Sequence, residues 1–154
     1  MAENLAAVAV EDLVPHRGDM SWLDTVLSAD DETVVAQATV RPDSYFVRDG
    51  RAPVWVGVEY MAQAIAAWAG NRARLKGQAV KVGLLLGTRR YAVHRQAFVV
   101  GDCLRIEARC ELMGDNGLGM FACRILDGDE EIAVANVSVF EPPDPDAYLG
   151  NTNE

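Results

Sequence analysis

Val54-Trp55-Val56-Gly57-Val58-Glu59-Tyr60-Met61-Ala62-Gln63-Ala64-Ile65-Ala66-Ala67-Trp68-Ala69 is the stretch that decides the fold. Almost everything in it is apolar, it is too long for an average strand, and Met61, Ala62, Ala64, Ala66 and Ala67 favour helix. Pro53 suits the helix start and Gly70-Asn71 its end, so the spacing predicts a helix over 54–69. A helix apolar on every side is buried on every side.

Outward from this helix the chain reads as strands. Leu104, Ile106, Ala108, Cys110 and Leu112 alternate with Arg105, Glu107, Arg109 and Glu111, which gives a strand with one buried and one wet face. Leu118 to Leu126 and Glu131 to Phe140 follow, separated by Asp127-Gly128-Asp129, while Gly114-Asp115-Asn116-Gly117 marks the preceding hairpin. Thr33 to Val40 and Gly83 to Val93 are further strands, and Pro42 to Pro53 is a polar loop holding Asp49-Gly50. The expected class is α+β: a curved antiparallel sheet wrapped around one long central hydrophobic helix. One sheet covers only part of such a helix, so a second copy is expected to cover the rest.

The chain has 154 residues, half of them hydrophobic, which fits one domain over 1–141 followed by a polar tail over 142–154. A core of that size needs neither disulfides nor a structural metal. Cys103, Cys110 and Cys123 are odd in number and lack C-x-x-C spacing, and with two histidines a zinc site is not expected. No stretch reaches the length of a membrane span, and Met1 to Val10 carries Glu3 and no Lys or Arg, so a cytoplasmic protein is expected. The formal charge of -9 argues against nucleic-acid binding. It conceals an asymmetry, because Tyr60 to Gly101 holds no acid and carries +7, in Arg72, Arg74, Lys76, Lys81, Arg89, Arg90 and Arg95. That window reads either as a solvated face or as a docking patch for an acidic partner or phosphate-bearing ligand.

Glu59 and Gln63 are the polar exceptions inside the apolar helix, one turn apart on one face. A carboxylate removed from water has its charged form disfavoured, which moves it toward acid–base work near neutral pH. The competing reading is a solvent-facing Glu, or a core Glu held by Gln63 or an arginine. At the helix start the N–H groups of Val54, Trp55 and Val56 can polarise a carbonyl oxygen, and Gly57 allows close approach of a backbone or a ligand chain.

Further motifs carry a resemblance. Leu13-Val14-Pro15-His16-Arg17 with Trp22-Leu23-Asp24, Glu59-Tyr60-Met61-Ala62-Gln63-Ala64, and Val100-Gly101-Asp102 occur in the order and spacing of the hotdog-fold 3-hydroxyacyl-[acyl-carrier-protein] dehydratases. Asp49 to Gln63 resembles most the smaller branch associated with aryl-polyene pathways. The resemblance implies a hotdog fold and a lyase that converts 3-hydroxyacyl thioesters on acyl carrier protein into trans-2-enoyl thioesters without metal or redox cofactor. Glu59 matches the helix carboxylate of that family, and the Val54 N–H its thioester-carbonyl donor. The family's general-base histidine is missing, since Tyr45 stands in its place, and a tyrosine near pKa 10 is a poor base. His16 is the preferred substitute and His94 the other candidate. Arg17, Arg48 and Asp49 are candidates for orienting groups. Trp55, Trp68 and Met61 are candidate walls of an acyl tunnel, and Gln63 a substrate-contacting group. Arg89, Arg90 and Arg95, with Arg72 and Arg74, form the expected docking rim for acyl carrier protein. The assembly is expected to be a homodimer or a heterodimer with a hotdog homologue. Two other readings are an acyl-thioester hydrolase of the same fold, and a silent acyl-binding subunit that pairs with an active homologue.

Overall fold

The computed structural model describes residues 2–16, 21–44, 46–78 and 84–141. Arg17, Tyr45, Lys81 and the tail over 142–154 lie outside the described residues. Among the described residues the strands are β1 (Glu3–Asn4), β2 (Thr25–Ala29), β3 (Thr33–Thr39), β4 (Arg51–Pro53), β5 (Leu84–Val93), β6 (Ala97–Val99), β7 (Cys103–Met113), β8 (Leu118–Asp127) and β9 (Glu130–Phe140). Seven of them form one antiparallel sheet in the order β1-β2-β3-β7-β8-β9-β5, and β4 pairs with β6 beside it. The central helix α1 spans Gly57–Leu75. This is the hotdog architecture: one long helix laid in the hollow of a curved sheet.

The strongest sequence patterns map directly onto the sheet. In β7 Leu104, Ile106 and Ala108 are buried against the helix, and β8 presents Phe121, Cys123 and Ile125 to the same core. Gly117 and Gly128, with φ of 92° and 61°, occupy left-handed turn positions in the β7–β8 and β8–β9 hairpins, where glycine carries no Cβ penalty. Asp49 and Gly50 make the equivalent turn before β4, closed by the Arg48–Arg51 bridge. Short β1, β4 and β6 escape the pattern reading, and so does β2, whose alternation is broken by a bulge between Val26 and Ser28.

The helix differs from the expectation in three ways. Its first turn, Val54–Val56, is a tighter 3₁₀ turn, with Pro53 extended ahead of it. It also continues past Gly70-Asn71 to Leu75. Gly77, at φ 69°, ends it: the Gln78 N–H donates to Ala73 O at 2.8 Å and the Gly77 N–H to Arg74 O at 3.0 Å, a Schellman termination. Gly70 remains helical because another segment occupies the space of its missing side chain. A Cβ there would overlap the Leu13 carbonyl oxygen and lie 2.6 Å from the carbonyl carbon. Finally, the helix is not buried all round within one chain. Tyr60, Met61, Ala64, Ile65, Ala67 and Trp68 enter the core, while Val58, Glu59, Ala62, Ala66, Ala69 and Arg72 form a half-buried stripe at helical spacing.

Candidate active site

The N-terminal segment crosses the helix before the first long strand begins. Leu5, Leu13 and Val14 are fully buried, and the 3₁₀ turn Val10–Asp12 is closed by Leu13 and Val14 N–H groups donating to Val10 O. Pro15 follows, and its ring disfavours the helical region for Val14, so the turn does not continue. His16 comes next, with its Nε2 3.6 Å from Glu59 Oε1. That distance is within ion-pair reach and is too long for a hydrogen bond. Both side chains keep partial access to solvent, 25% for His16 and 31% for Glu59, so Glu59 is neither engulfed nor bathed in bulk water.

Gln63 holds the carboxylate in place. Its Nε2 donates to Glu59 Oε1 at 3.0 Å, while its own Oε1 accepts the Trp22 backbone N–H at 2.9 Å. The second bond fixes which end of the amide faces Glu59, because an N–H cannot donate to the NH₂ end. Gln63 is fully buried and is not part of the cavity lining; its side chain faces Glu59. The i, i+4 spacing of the pair is visible in the sequence. The contribution of Trp22 is not, because it comes from a segment 41 residues away.

His16 and Glu59 line one end of a cavity of about 240 Å³. Its walls are Ala62, Ile65, Ala66, Trp68 and Ala69 along the helix, facing Phe121, Val139, Leu85 and Met113 from the sheet. Trp68 is fixed by its indole N–H donating to Asp30 O at 3.0 Å and by edge packing on Phe121 at 5.2 Å. Phe121 and Val139 belong to inward-facing sets that alternation identifies, but nothing local in the sequence says that those sets oppose Glu59. Small alanines on the helix side and larger side chains on the sheet side leave a largely apolar trough, with His16 and Glu59 at one end and Glu141 also in its lining. Two titratable groups side by side, His16 and Glu59, at one end of a largely apolar cleft suit proton transfers on a bound chain.

Several expected ligand contacts lie elsewhere. Val54, Trp55 and Gly57 do not line this cavity. Gly57 does admit a close neighbour, but that neighbour belongs to the same chain: the Tyr91 hydroxyl packs over it, with Phe98 Cζ 3.2 Å from where a Cβ would stand. The Tyr91 hydroxyl donates to Val54 O, and burial pushes this phenol up to about 12. Trp55 is 54% exposed and packs on Phe46 at 4.8 Å; Met61 is buried in the core. His94 is exposed, in the turn after β5. Burial also raises the Cys123 thiol to about 12, which makes it a poor nucleophile. Among the described residues no group of three or more His, Cys, Asp or Glu side chains could hold a metal ion, and no helix is long and apolar enough to cross a membrane.

The basic window divides. Arg95 lies 2.8 Å from Asp127, 3.3 Å from Glu130 and 3.7 Å from Asp102, and the Asp127 hydrogen bond holds its pKa above the ordinary value. Its charge is therefore spent within the chain. Arg74 bonds Glu3 at 2.9 Å and Asn71, and Arg72 stacks on Trp68 at 4.7 Å. Arg89 and Arg90 are exposed on β5, where Arg90 takes φ 56° at a bulge and borders a groove on the sheet shared with Arg109 and Arg124.

Comparison with known proteins places this geometry. One solved structure, the dehydratase heterocomplex ApeI:P from Xenorhabdus doucetiae, superposes with a TM-score of 0.86 at 29% identity, over 96% of this chain and 99% of that one. A hypothetical thioesterase from Streptococcus pneumoniae with coenzyme A (TM-score 0.58, 16% identity, 75% of this chain, 83% of that one) shares the fold. So does a mutant phenylacetic acid degradation protein PaaI from Thermus thermophilus (0.56, 16%, 75% and 90%). No curated protein matches. The family model of the ApeP dehydratase matches residues 8–150, a span that includes His16, the helix that carries Glu59 and strands β2 to β9, and the chain belongs to the ApeP-like dehydratase family.

Proposed function

We propose that this chain dehydrates 3-hydroxyacyl thioesters carried on acyl carrier protein, with His16 as base and Glu59 as acid. The observation that carries this reading is the His16–Glu59 pair, 3.6 Å apart at one end of a largely apolar cavity. Neutral His16 Nε2 takes the C2 proton, and Glu59 in its acid form protonates the C3 hydroxyl as the C3–O bond breaks. The products are the trans-2-enoyl thioester and water. The reaction leaves an imidazolium beside a carboxylate, and a proton passing between Nε2 and Oε1 restores the starting state. Gln63 directs one carboxylate oxygen throughout by its 3.0 Å bond. No step needs a metal or a redox cofactor. The acyl chain lies along the Ala62–Ala66–Ala69 trough with Trp68 as its side wall.

The working form is proposed to contain a second hotdog subunit. Among the described residues β5 has a sheet neighbour on one side, β9, and the exposed Leu85 and Met113 line the cavity, so a second chain on that edge would close it. The ApeI:P relative is itself a heterocomplex, which favours a homologous partner over a second copy. Arg89 and Arg90, exposed on the same strand, are the proposed docking cations for the acidic carrier. The test is product analysis of the chain alone and with its partner on 3-hydroxyacyl carrier protein. Enoyl thioester is the expected product, and free thiol would mean a hydrolase. Reversing Arg89 and Arg90 to Glu should weaken turnover of carrier-linked substrate, in a salt-dependent way, and spare small thioester analogues. Equal loss on both would remove the docking role.

A further inference from the structure

Gly70 and Asn71 resemble a helix stop in the sequence, yet both sit inside α1. Gly70 touches the Leu13 backbone so closely that a Cβ would overlap its carbonyl oxygen. Asn71, 3% exposed, accepts both Nε (3.3 Å) and Nη2 (2.9 Å) of Arg74, whose Nη2 also donates to Glu3 at 2.9 Å. One helix turn thus grips the N-terminal segment at its start, through Glu3, and near its end, through Leu13. From Leu13 to His16 the chain has little freedom: Leu13 and Val14 are buried and Pro15 fixes its own φ. Any displacement of Leu13 therefore reaches the imidazole.

We infer that the turn from Gly70 to Arg74 is a seat for residues 2–16, and that Gly70 is a positioning residue which places His16 beside Glu59. The inference rests on the proposed His16–Glu59 reaction for its kinetic consequence, and on geometry alone for its structural one. A methyl group at residue 70 meets backbone, not the yielding end of a side chain, so the strap must move by more than an ångström. A misplacement of about that size at a reacting group costs on the order of a hundredfold in rate.

Two measurements on the full chain with its partner test the inference. In the first, kcat of Gly70→Ala is expected to fall about a hundredfold with KM nearly unchanged, and Gly70→Ala/His16→Ala is expected to be no slower than His16→Ala alone. Losses that multiply would show a general structural defect and overturn the inference. The second uses the fact that the chain has two histidines. Glu59→Gln is expected to shift the ring NMR signals of His16 and leave those of His94 in place; in the Gly70→Ala background that response should disappear. A full response there overturns the seat, whatever the kinetics show. If Gly70→Ala does not fold, Arg74→Met releases the Glu3 end and should weaken the same response, and an undiminished response counts against the inference equally. Wild-type turnover in both His16→Ala and Glu59→Gln would remove the reaction assignment, while the ring signals would still decide the seat.

Discussion

Glu59 and Arg95 are both partly buried charges with several polar neighbours, and they have opposite consequences. Arg95 sits among three carboxylates, Asp127, Glu130 and Asp102, which tie the β5–β6 turn to the β6–β7 turn and the β8–β9 hairpin. Its charge is matched where it stands. Glu59 is held by a neutral amide, Gln63, and a titratable imidazole, His16, with an apolar cavity in front. A carboxylate locked to a guanidinium gives up its capacity to exchange a proton, whereas one oriented by an amide keeps it. The contrast separates a charge matched by fixed counter-charges from one that keeps an exchangeable proton partner, without reference to the reaction.

The sharpest way to break the contrast is Glu59→Gln. It keeps volume and removes the exchangeable proton, so turnover should fall about a thousandfold while the melting temperature moves little. His16→Ala should produce a loss of similar order and His94→Ala none, measured side by side on the same substrate. Near-normal rates in Glu59→Gln would reduce Glu59 to another structural charge.

Gln63→Leu tests how the carboxylate is held. It leaves the buried Trp22 N–H without its acceptor, which should cost about 1–3 kcal/mol in denaturant unfolding. It also frees Glu59 to rotate, so kcat should fall by about tenfold with a smaller change in KM. Loss of stability with full kcat would show that His16 and the cavity alone orient the acid.

These residues also show what the sequence could and could not convey. The period-two strand at 104–112, the hairpin glycines and the long apolar helix are legible because each is a pattern within one element. Glu59 and Gln63 stand out because two polar groups interrupt an apolar run at one-turn spacing. Gly70-Asn71 misleads, because a glycine that ends a helix and a glycine that receives another segment look alike until Leu13 is placed. Their place at the helix start makes Val54, Trp55 and Gly57 read as ligand contacts, whereas in the structure Tyr91 and Phe98 pack over Gly57, the Tyr91 hydroxyl donates to the Val54 carbonyl, and Trp55 packs on Phe46. His16 is legible as a residue of interest from the matched motif. Its meeting with Glu59 depends on packing between segments about 43 positions apart, which no local period encodes.

Asp30 offers a third kind of charge, a carboxylate held by backbone. Its Oδ1 accepts the Glu32 and Thr33 N–H groups at 2.8 and 2.7 Å, and these bonds hold its pKa below the ordinary value. A depressed folded pKa means stability that is present above the unfolded value, about 3.9, and is lost as the pH falls through the lower folded one. Asp30→Ala should therefore destabilise by about 1 kcal/mol at pH 7. The difference from wild type should shrink as the pH falls below the unfolded value, about 3.9. A difference independent of pH would assign the turn's stability to shape rather than charge.

The smallest effect belongs to Arg95. Its partners range from 21% to 64% exposed, so solvent screens each pair, and Arg95→Met should cost no more than about 1 kcal/mol. The cost should not vanish, because removing the cation leaves Asp102, Asp127 and Glu130 facing one another, and raised salt should ease that repulsion. Turnover of small thioesters and of carrier-linked substrate should both be unchanged, since the guanidinium has no unmatched charge to offer a partner. A selective loss on the carrier-linked substrate would mean that the carrier competes with Asp127 for Arg95, and Arg95 would then belong to the docking surface with Arg89 and Arg90.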